Sequence, residues 1–127
     1  MIKLTDAEWA VLDVLWSLPS PGEAPGLALG EVTDALRPAT GWSRNTVHPY
    51  LTRMEHKQLV TILREREPHR YAAAVTREEC TRDARKGFLH TVYGGSAGDL
   101  VAAFLKECRI SAAERDELRR LLDEMEV

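Results

Sequence analysis

The first hydrophobic stripe of the chain predicts a helix that packs one face against a core. Trp9, Leu12 and Trp16 recur at intervals of three and four residues, which places their side chains on one side of an α-helix. Thr5 and Glu8 stand three residues apart just before this stripe, as the two members of a helix capping box do. We therefore expect the first helix to begin immediately after Thr5.

A loop and a shorter helix are predicted next. Residues 18–26 hold three prolines and two glycines, a composition that interrupts a helix and predicts a loop. The apolar residues that follow indicate a second helix from about Leu29 to Leu36. We expect Pro38 together with Gly41 to end this helix.

The third predicted helix has an apolar side and a polar side. Ser43 is a favourable N-cap residue, and Val47, Tyr50, Leu51 and Met54 cluster on one side of a helix that begins there. The opposite arc consists of residues able to form hydrogen bonds and one proline: Asn45, Pro49, Thr52 and His56, flanked by His48 and Arg53. Because proline lacks a backbone N–H, we expect a bend or an irregular turn near residues 45–49.

Two short strand-like runs follow the third helix. Residues 59–63 and 71–75 are apolar or β-branched, and the segment between them is charged and contains a proline, a pattern that predicts a β-hairpin. Three helices followed by a hairpin with a basic tip form a winged helix. The fold class predicted from the sequence is therefore mainly α with a small β-hairpin wing, a winged helix-turn-helix followed by a helical tail.

The remaining segment predicts three amphipathic helices that share no core of their own. Capping boxes at residues 76–79 and 111–114, a cap at Ser96 and a stop at residues 94–95 delimit them. Their apolar stripes would stay exposed unless a second copy covered them. We therefore predict a DNA-binding domain over residues 1–75 and a dimerisation domain over 76–127. The predicted homodimer contacts are Phe88, Val92, Leu100, Val101, Phe104, Leu105, Leu118, Leu121, Leu122 and Met125.

The distribution of charge favours a polyanionic partner for one segment only. The net charge is −3, yet residues 40–75 carry six arginine and lysine side chains against three glutamates. A local basic patch is what contact with phosphates requires, and a mildly acidic whole chain does not exclude it. The longest apolar runs fall well short of the roughly 20 residues that cross a bilayer. The first residues do not read as a secretion signal, so we expect no membrane insertion and a cytoplasmic location.

We predict that the third helix and the wing contact double-stranded DNA. An α-helix fits the major groove, where polar side chains meet base edges and phosphates, and arginines on a wing suit phosphate or minor-groove contact. The candidate residues are Ser43, Arg44, Asn45, Thr46, His48, Thr52 and Arg53 on the helix, and Arg64, Arg66, His69 and Arg70 on the wing. Two simpler interpretations stay open: a polar helix face that only meets solvent, and a wing tip whose arginines Glu65 and Glu67 neutralise.

The chain resembles the penicillinase repressor family of winged-helix regulators, which includes beta-lactamase and methicillin-resistance repressors and a copper-responsive branch. The resemblance covers nearly the whole chain and rests on LTDAEW at residues 4–9, LW at 15–16, WSRNTV at 42–47, YLTRM at 50–54, KGFL at 86–89 and LVAAF at 100–104. It implies a homodimer that binds a partly palindromic operator with its third helix in the major groove. Thr46 and Arg53 match family positions that face DNA.

The resemblance also implies a mode of control, connected with antibiotic resistance. In the antibiotic-responsive branch a membrane sensor protease system leads to cleavage of the repressor just before a phenylalanine of the tail. Ala103 and Phe104 occupy that place here, although the family's cleaved bond follows asparagine, so cleavage is stated as a hypothesis. Phe104 can instead be a residue of the dimer interface. The clustered C-terminal cysteines of the copper branch are missing from this tail, which argues against copper sensing of that type.

Enzymatic and metal-dependent functions find little support in the sequence. The four histidines are dispersed, and neither a serine nor a cysteine lies in a nucleophile motif. Cys80 and Cys108 are too few and too far apart for a disulfide framework or a structural zinc site. We therefore predict a non-enzymatic protein without metal or cofactor, acting as a transcriptional repressor. The alternative is a dimeric winged-helix module that binds another protein instead of DNA.

Overall fold

The structure is a computed structural model that describes residues 1–19 and 25–127. The predicted loop over residues 18–26 therefore lies partly outside the described residues. Within them the chain forms helices and strands in a single order: α1 Asp6–Ser17, β1 Leu27–Ala28, α2 Leu29–Thr40, α3 Arg44–His56, β2 Val60–Leu63, β3 Arg70–Ala73, α4 Arg77–Tyr93, α5 Ala97–Glu107 and α6 Ala112–Glu124. The predicted fold class, mainly α with a small β-hairpin wing, is confirmed.

Helix α1 begins with the predicted capping box. The backbone N–H of Thr5 donates to Glu8 Oε1 at 2.9 Å, and the N–H of Glu8 donates to Thr5 Oγ1 at 3.2 Å. Both orphan amides are therefore satisfied at the helix start. Val11 and Leu12 are fully buried, so the helix packs its apolar face against the core as predicted.

Helix α2 is longer than the sequence suggested. It continues through Pro38 to Thr40, and Gly41 ends it in the left-handed region with φ of 70°. The prediction that Pro38 helps to end the helix is wrong. Pro38 removes only the N–H that would reach the carbonyl of Asp34, and both residues are exposed, so water can take the place of the missing donor.

Helix α3 also runs through its proline. Residues 44–56 form one uninterrupted α-helix with Pro49 inside it, so the irregular turn predicted near residues 45–49 is wrong, while the bend given as its alternative stays a prediction. Asn45 and Pro49 are exposed, and the carbonyl left without a donor can be hydrated. The backbone of Ser43 has the extended conformation of an N-cap residue. Among the described residues, however, no backbone N–H donates a capping hydrogen bond to its hydroxyl.

A three-stranded antiparallel sheet with the order β1-β3-β2 includes the predicted hairpin. Ile62 of β2 lies opposite Tyr71 of β3, and Leu27 of β1 lies on the other side of Tyr71. The hairpin confirms the predicted wing. Strand β1 was not predicted, because two residues are too short to show a strand pattern.

The chain divides into two compact units, Met1–Arg85 and Lys86–Val127. The first unit extends beyond residue 75 because the start of α4 packs onto it. Cys80 is only 1% exposed, and the N–H of Ile2 donates to Asp83 Oδ2 at 2.8 Å. The fully buried side chains at the centre of this unit come from α1, α2, α3 and α4: Val11, Leu12, Val32, Thr33, Val47, Leu51, Met54 and Cys80.

The second unit contains the end of α4 followed by α5 and α6. Ser96 and Ser111 cap α5 and α6 through their hydroxyls, and Ser111 forms a full capping box with Glu114. Helix α4 ends at Tyr93, where Gly94 and Gly95 both take positive φ. The caps predicted at Ser96 and Ser111 and the stop predicted at residues 94–95 are confirmed. Of the capping box predicted at residues 76–79, the hydrogen bond from the Glu79 N–H to the Thr76 hydroxyl is present. Among the described residues, no helix has the length and apolar character to span a membrane.

Candidate nucleic-acid interface

Helix α3 is anchored by one face and leaves the other in solvent. Val47, Leu51 and Met54 are fully buried, because their spacing of four and three residues brings them onto the side that meets α1 and α2. The predicted DNA-contacting residues lie elsewhere on the helix. Five of them are exposed and one is half-buried: Arg44, Asn45, Thr46, His48 and Arg53, with Thr52 half-buried. Ser43, just before the helix, is also exposed.

Two of these side chains already interact within the protein. The Thr52 hydroxyl donates to the carbonyl of His48 at 3.1 Å. The Arg44 guanidinium lies very close to Gly30. A side chain at position 30 would place its Cβ atom only 2.5 Å from Arg44 Nη2. Gly30 therefore leaves the room that Arg44 occupies beside the first turn of α2.

Arg53 lies at the end of a stack of side chains. Its guanidinium carbon is 4.7 Å from the centre of the Tyr50 ring. Tyr50 in turn stacks on Trp42, with ring centres 5.1 Å apart and planes 25° from parallel. The Trp42–Tyr50–Arg53 stack holds one predicted DNA-contacting residue in place. The sequence placed Tyr50 on the apolar side of the helix and did not predict its contacts with Trp42 and Arg53.

The root of the wing is tied to α3 by a bidentate ion pair. Arg64 Nη1 and Nη2 donate to the two carboxylate oxygens of Glu55 at 2.5 and 2.8 Å. The hydrogen bond from Arg64 lowers the pKa of Glu55, and the same bond raises the pKa of Arg64. Arg64 was predicted to contact DNA, and the structure places it as a brace between the wing and the helix.

Arg70 points into the protein. Its side chain is 12% exposed, and its Nε and Nη2 atoms donate to the carbonyls of Pro25 at 2.8 Å and Gly26 at 2.6 Å. Gly26 has φ of 77°, and a Cβ there would stand 2.7 Å from the carbonyl oxygen of Tyr71. Arg70 and Gly26 together fasten the segment before β1 to β3.

The tip of the wing carries the other two predicted residues. Arg66 is exposed. His69 is half-buried, with its Nε2 atom 3.8 Å from Glu67 Oε1. Arg66 therefore presents its charge at the tip, while His69 shares its surroundings with a carboxylate.

A cleft of 590 Å³ separates the wing from the helices. Side chains able to carry positive charge line it alongside carboxylates: Arg44, His48 and His69 with Glu31, Asp34 and Glu67. It brings together residues of α2, α3 and the wing that are far apart in the sequence. The cleft thus lies between the exposed polar arc of α3 and the wing tip.

The sequence carried a signal for one of the residues that were missed. Tyr50 and Arg53 stand three apart on a helix, which is the spacing of side chains that contact each other. Trp42 precedes the helix, and Glu55 meets Arg64 only after the chain turns back into β2. These two contacts depend on tertiary structure and left no periodic signal.

The predicted dimer contacts form apolar surface on the second unit. Eight of the ten are exposed and two half-buried: Phe88, Val92, Val101, Phe104, Leu105, Leu121, Leu122 and Met125, with Leu100 and Leu118 half-buried. An apolar groove of 390 Å³ is lined by residues of α5 and α6, among them Val101, Leu105 and Leu122, and by Met125 just after α6. Ala103 is half-buried and Phe104 is 52% exposed, both inside α5.

Comparison with known proteins connects these features to one family. The family model described as penicillinase repressor matches residues 4–124. The transcriptional regulator BlaI of Mycobacterium tuberculosis is 31% identical over 126 residues, covering 99% of this chain and 87% of that protein.

Two further relatives match along nearly their whole length. The penicillinase repressor of Staphylococcus aureus is 23% identical, covering 98% of this chain and 94% of that protein. The methicillin resistance regulatory protein MecI of Mammaliicoccus sciuri is 22% identical, covering 95% of this chain and 94% of that protein. The family match over almost the entire chain agrees with the winged helix and helical tail seen here, and the chain belongs to the penicillinase repressor family.

Proposed function

We propose that this chain is a cytoplasmic transcriptional repressor that binds a partly palindromic operator as a homodimer. The observation that carries the proposal is α3, which buries one face completely and exposes a row of hydrogen-bonding side chains beside a wing that presents Arg66 at its tip. A helix held in this way can enter the major groove while the wing lies along the adjacent backbone. The chain's family and its relatives, named as repressors and regulators, support the same function.

Asn45, Thr46, His48 and Arg53 are the proposed base- and phosphate-contacting residues of α3. Arg66 at the wing tip is the proposed backbone contact, with His69 beside it. Arg44 lies in the first turn of α3, and Thr52 lies within the polar arc with its hydroxyl bonded to the carbonyl of His48. Arg64 and Arg70 contribute by holding the wing in place, since both guanidinium groups are engaged by protein atoms.

The exposed apolar residues of the second unit support the homodimer. Monomeric proteins rarely leave large contiguous apolar patches in water, and eight of the predicted contacts lie between 41% and 61% exposed. A second copy could cover them through a two-fold interface. Two winged helices would then reach two half-sites of one operator.

The DNA-binding test uses duplex DNA from upstream of the chain's own gene in a mobility-shift titration at several salt concentrations. We expect sequence-dependent binding that weakens as salt rises. Arg53→Ala should weaken binding by about tenfold or more, as loss of a bidentate base contact does. Arg109→Ala removes an equal charge from the second unit and serves as the control.

Binding that is absent, or insensitive to sequence and salt, would contradict the repressor and favour the protein-interaction module. Equal losses in Arg53→Ala and Arg109→Ala would show that net charge, not the α3 surface, controls affinity.

The dimer test places a charge in the apolar surface of α6. Leu121→Asp should convert the dimer to a monomer in light scattering, because a carboxylate cannot be buried against apolar side chains without a partner. Ala113→Asp introduces the same charge at an exposed position in the first turn of α6. A Leu121→Asp variant that stays dimeric would show that the interface lies elsewhere.

Relief of repression by cleavage between Ala103 and Phe104 remains part of the proposal. The exposure of Phe104 supports access of a protease to this site. Because the bond lies inside α5, the helix must unwind locally before a protease can bind the segment in an extended form. Incubation with the cognate membrane sensor system followed by mass spectrometry tests this step. A chain that stays intact under inducing conditions would contradict it.

A further inference from the structure

The side chains of Trp42, Tyr50 and Arg53 form a continuous stack along one flank of α3. The two rings lie 5.1 Å apart and nearly parallel, and the Arg53 guanidinium lies 4.7 Å from the Tyr50 ring centre. Tyr50 and Arg53 are three residues apart, so they lie one above the other on the helix surface. The stack ends beside the exposed polar arc of α3.

The inner end of the stack is anchored to the protein. Trp42 is half-buried and packs against the core cluster, and its backbone N–H donates to Thr40 Oγ1 at 3.1 Å. Gly41 provides the left-handed turn that ends α2 just before it. Trp42 therefore gives Tyr50 a fixed surface, and Tyr50 gives one to Arg53.

An arginine held on an aromatic ring loses much of its rotational freedom before any partner arrives. Arginine side chains have many rotamers, and their ordering opposes binding. A guanidinium attracted to a ring face stays in one plane and keeps its N–H edge available. That edge matches a pair of acceptors, either on a base or on a phosphate group.

We propose that Trp42 and Tyr50 are positioning residues, which hold the Arg53 guanidinium in a preset plane for contact with a paired acceptor on duplex DNA. The proposal rests on the proposed function of the chain. Neither aromatic residue needs to touch DNA in this arrangement. Their contribution is to order the Arg53 side chain before DNA binds, so that less conformational entropy is lost on binding.

The test is a double-mutant cycle on a duplex that the wild-type chain selects from a random double-stranded oligonucleotide library. Fluorescence anisotropy measures the affinity of each variant. Tyr50→Leu removes the ring but keeps an apolar side chain, and should weaken binding about three- to tenfold. Tyr50→Phe keeps the ring and should stay within about twofold of wild type.

The second half of the cycle separates positioning from folding. In an Arg53→Ala background, Tyr50→Leu should cause no further loss, because there is then no guanidinium to hold. An equal loss in both backgrounds would assign Tyr50 to the structure of α3 and overturn the proposal. Unchanged affinity of Tyr50→Leu with Arg53 present would overturn it as well.

Two further readouts define what Arg53 contacts and whether the underlying function holds. If the acceptor is a base edge, the loss in Tyr50→Leu is confined to the selected duplex; if it is a phosphate, the loss extends to unrelated duplexes and the salt slope falls by about one. A wild-type chain that selects no duplex would overturn the proposed function together with this inference. A wild-type chain that binds, with no coupling in the cycle, would overturn the inference alone.

Discussion

Glu8 is a buried carboxylate that connects α1 to the end of α3. It is 4% exposed, it completes the capping box with Thr5, and it accepts a hydrogen bond from Lys57 Nζ at 2.8 Å. Burial raises the pKa of Glu8, but the hydrogen bonds from Lys57 and Thr5 outweigh it and bring the pKa below its usual value. The ionised form of Glu8 therefore stabilises the fold.

A carboxylate whose pKa is lowered by folding contributes stability above its unfolded pKa and loses it as the pH falls through the folded pKa. For Glu8 this loss begins below pH 4.5, the ordinary value of the group. Glu8→Gln should lower the free energy of unfolding at pH 7 by about 1–2 kcal/mol. Between pH 5 and pH 3 the variant should lose less stability than the wild type. Urea unfolding across this pH range measures both effects.

Glu114→Gln is the matched control for this substitution. Glu114 occupies the same capping-box position in α6 but is exposed and has no lysine partner among the described residues. Its replacement should change the pH dependence less than Glu8→Gln does. Parallel pH profiles for wild type and Glu8→Gln would contradict a stabilising role for the ionised carboxylate.

Helix α3 combines two requirements at the level of the element. Its inner face must pack tightly, and its outer face must keep polar groups available. Pro49 lies on the outer face, where its missing N–H leaves the helix intact. The proline costs stability without interrupting the surface proposed to meet DNA.

Pro49→Ala should stabilise the protein by about 1–2 kcal/mol. Alanine restores the donor for the Asn45 carbonyl and removes the ring from the helix interior, while the more flexible unfolded chain offsets part of the gain. Thermal or urea unfolding measures the change. Pro25→Ala is the control, because Pro25 lies outside any helix, and it should give no such gain. A Pro49→Ala variant that is no more stable than wild type would show that the helix accommodates the proline at little cost.

At the scale of the whole molecule, the two units carry complementary tasks. The first has a core of its own and exposes polar and basic groups on α3 and the wing, whereas the second exposes large apolar side chains. Residues 40–75, which include α3 and the wing, hold six arginine and lysine side chains against three glutamates, so the net charge of −3 arises outside this segment.

If the chain is a homodimer, the midpoint of its thermal unfolding should depend on protein concentration. Because association stabilises only the folded subunits, the midpoint should rise by about 2–4 °C for each tenfold increase in concentration. Leu121→Asp should unfold at a lower temperature that no longer depends on concentration. Scanning calorimetry over a hundredfold range of concentration makes the comparison. A wild-type midpoint that does not move would argue against the dimer.

Features that depend on near neighbours in the chain were predictable. The capping boxes at Thr5 and Ser111, the apolar face of α3 and the β2-β3 hairpin follow from helical spacing, strand alternation and turn chemistry. Local patterns also misled at Pro38 and Pro49, because a proline signals a break while exposure and solvation decide whether the helix continues. The sequence therefore identified the exposed polar arc of α3 correctly, but it did not predict that the helix continues through Pro49.

By itself, the sequence determined the fold class, the polar arc of α3 and the apolar faces of the tail, since each follows from residues within a turn or two of one another. Only the tertiary structure decided which partners each arginine has within the protein. Arg70 turns inward to the carbonyls of Pro25 and Gly26, and Arg64 is held by Glu55, while Arg53 is held against Tyr50 with its guanidinium exposed at the surface. Side chains of one residue type carry the same charge in a sequence, and their partners in space determine what that charge can contact.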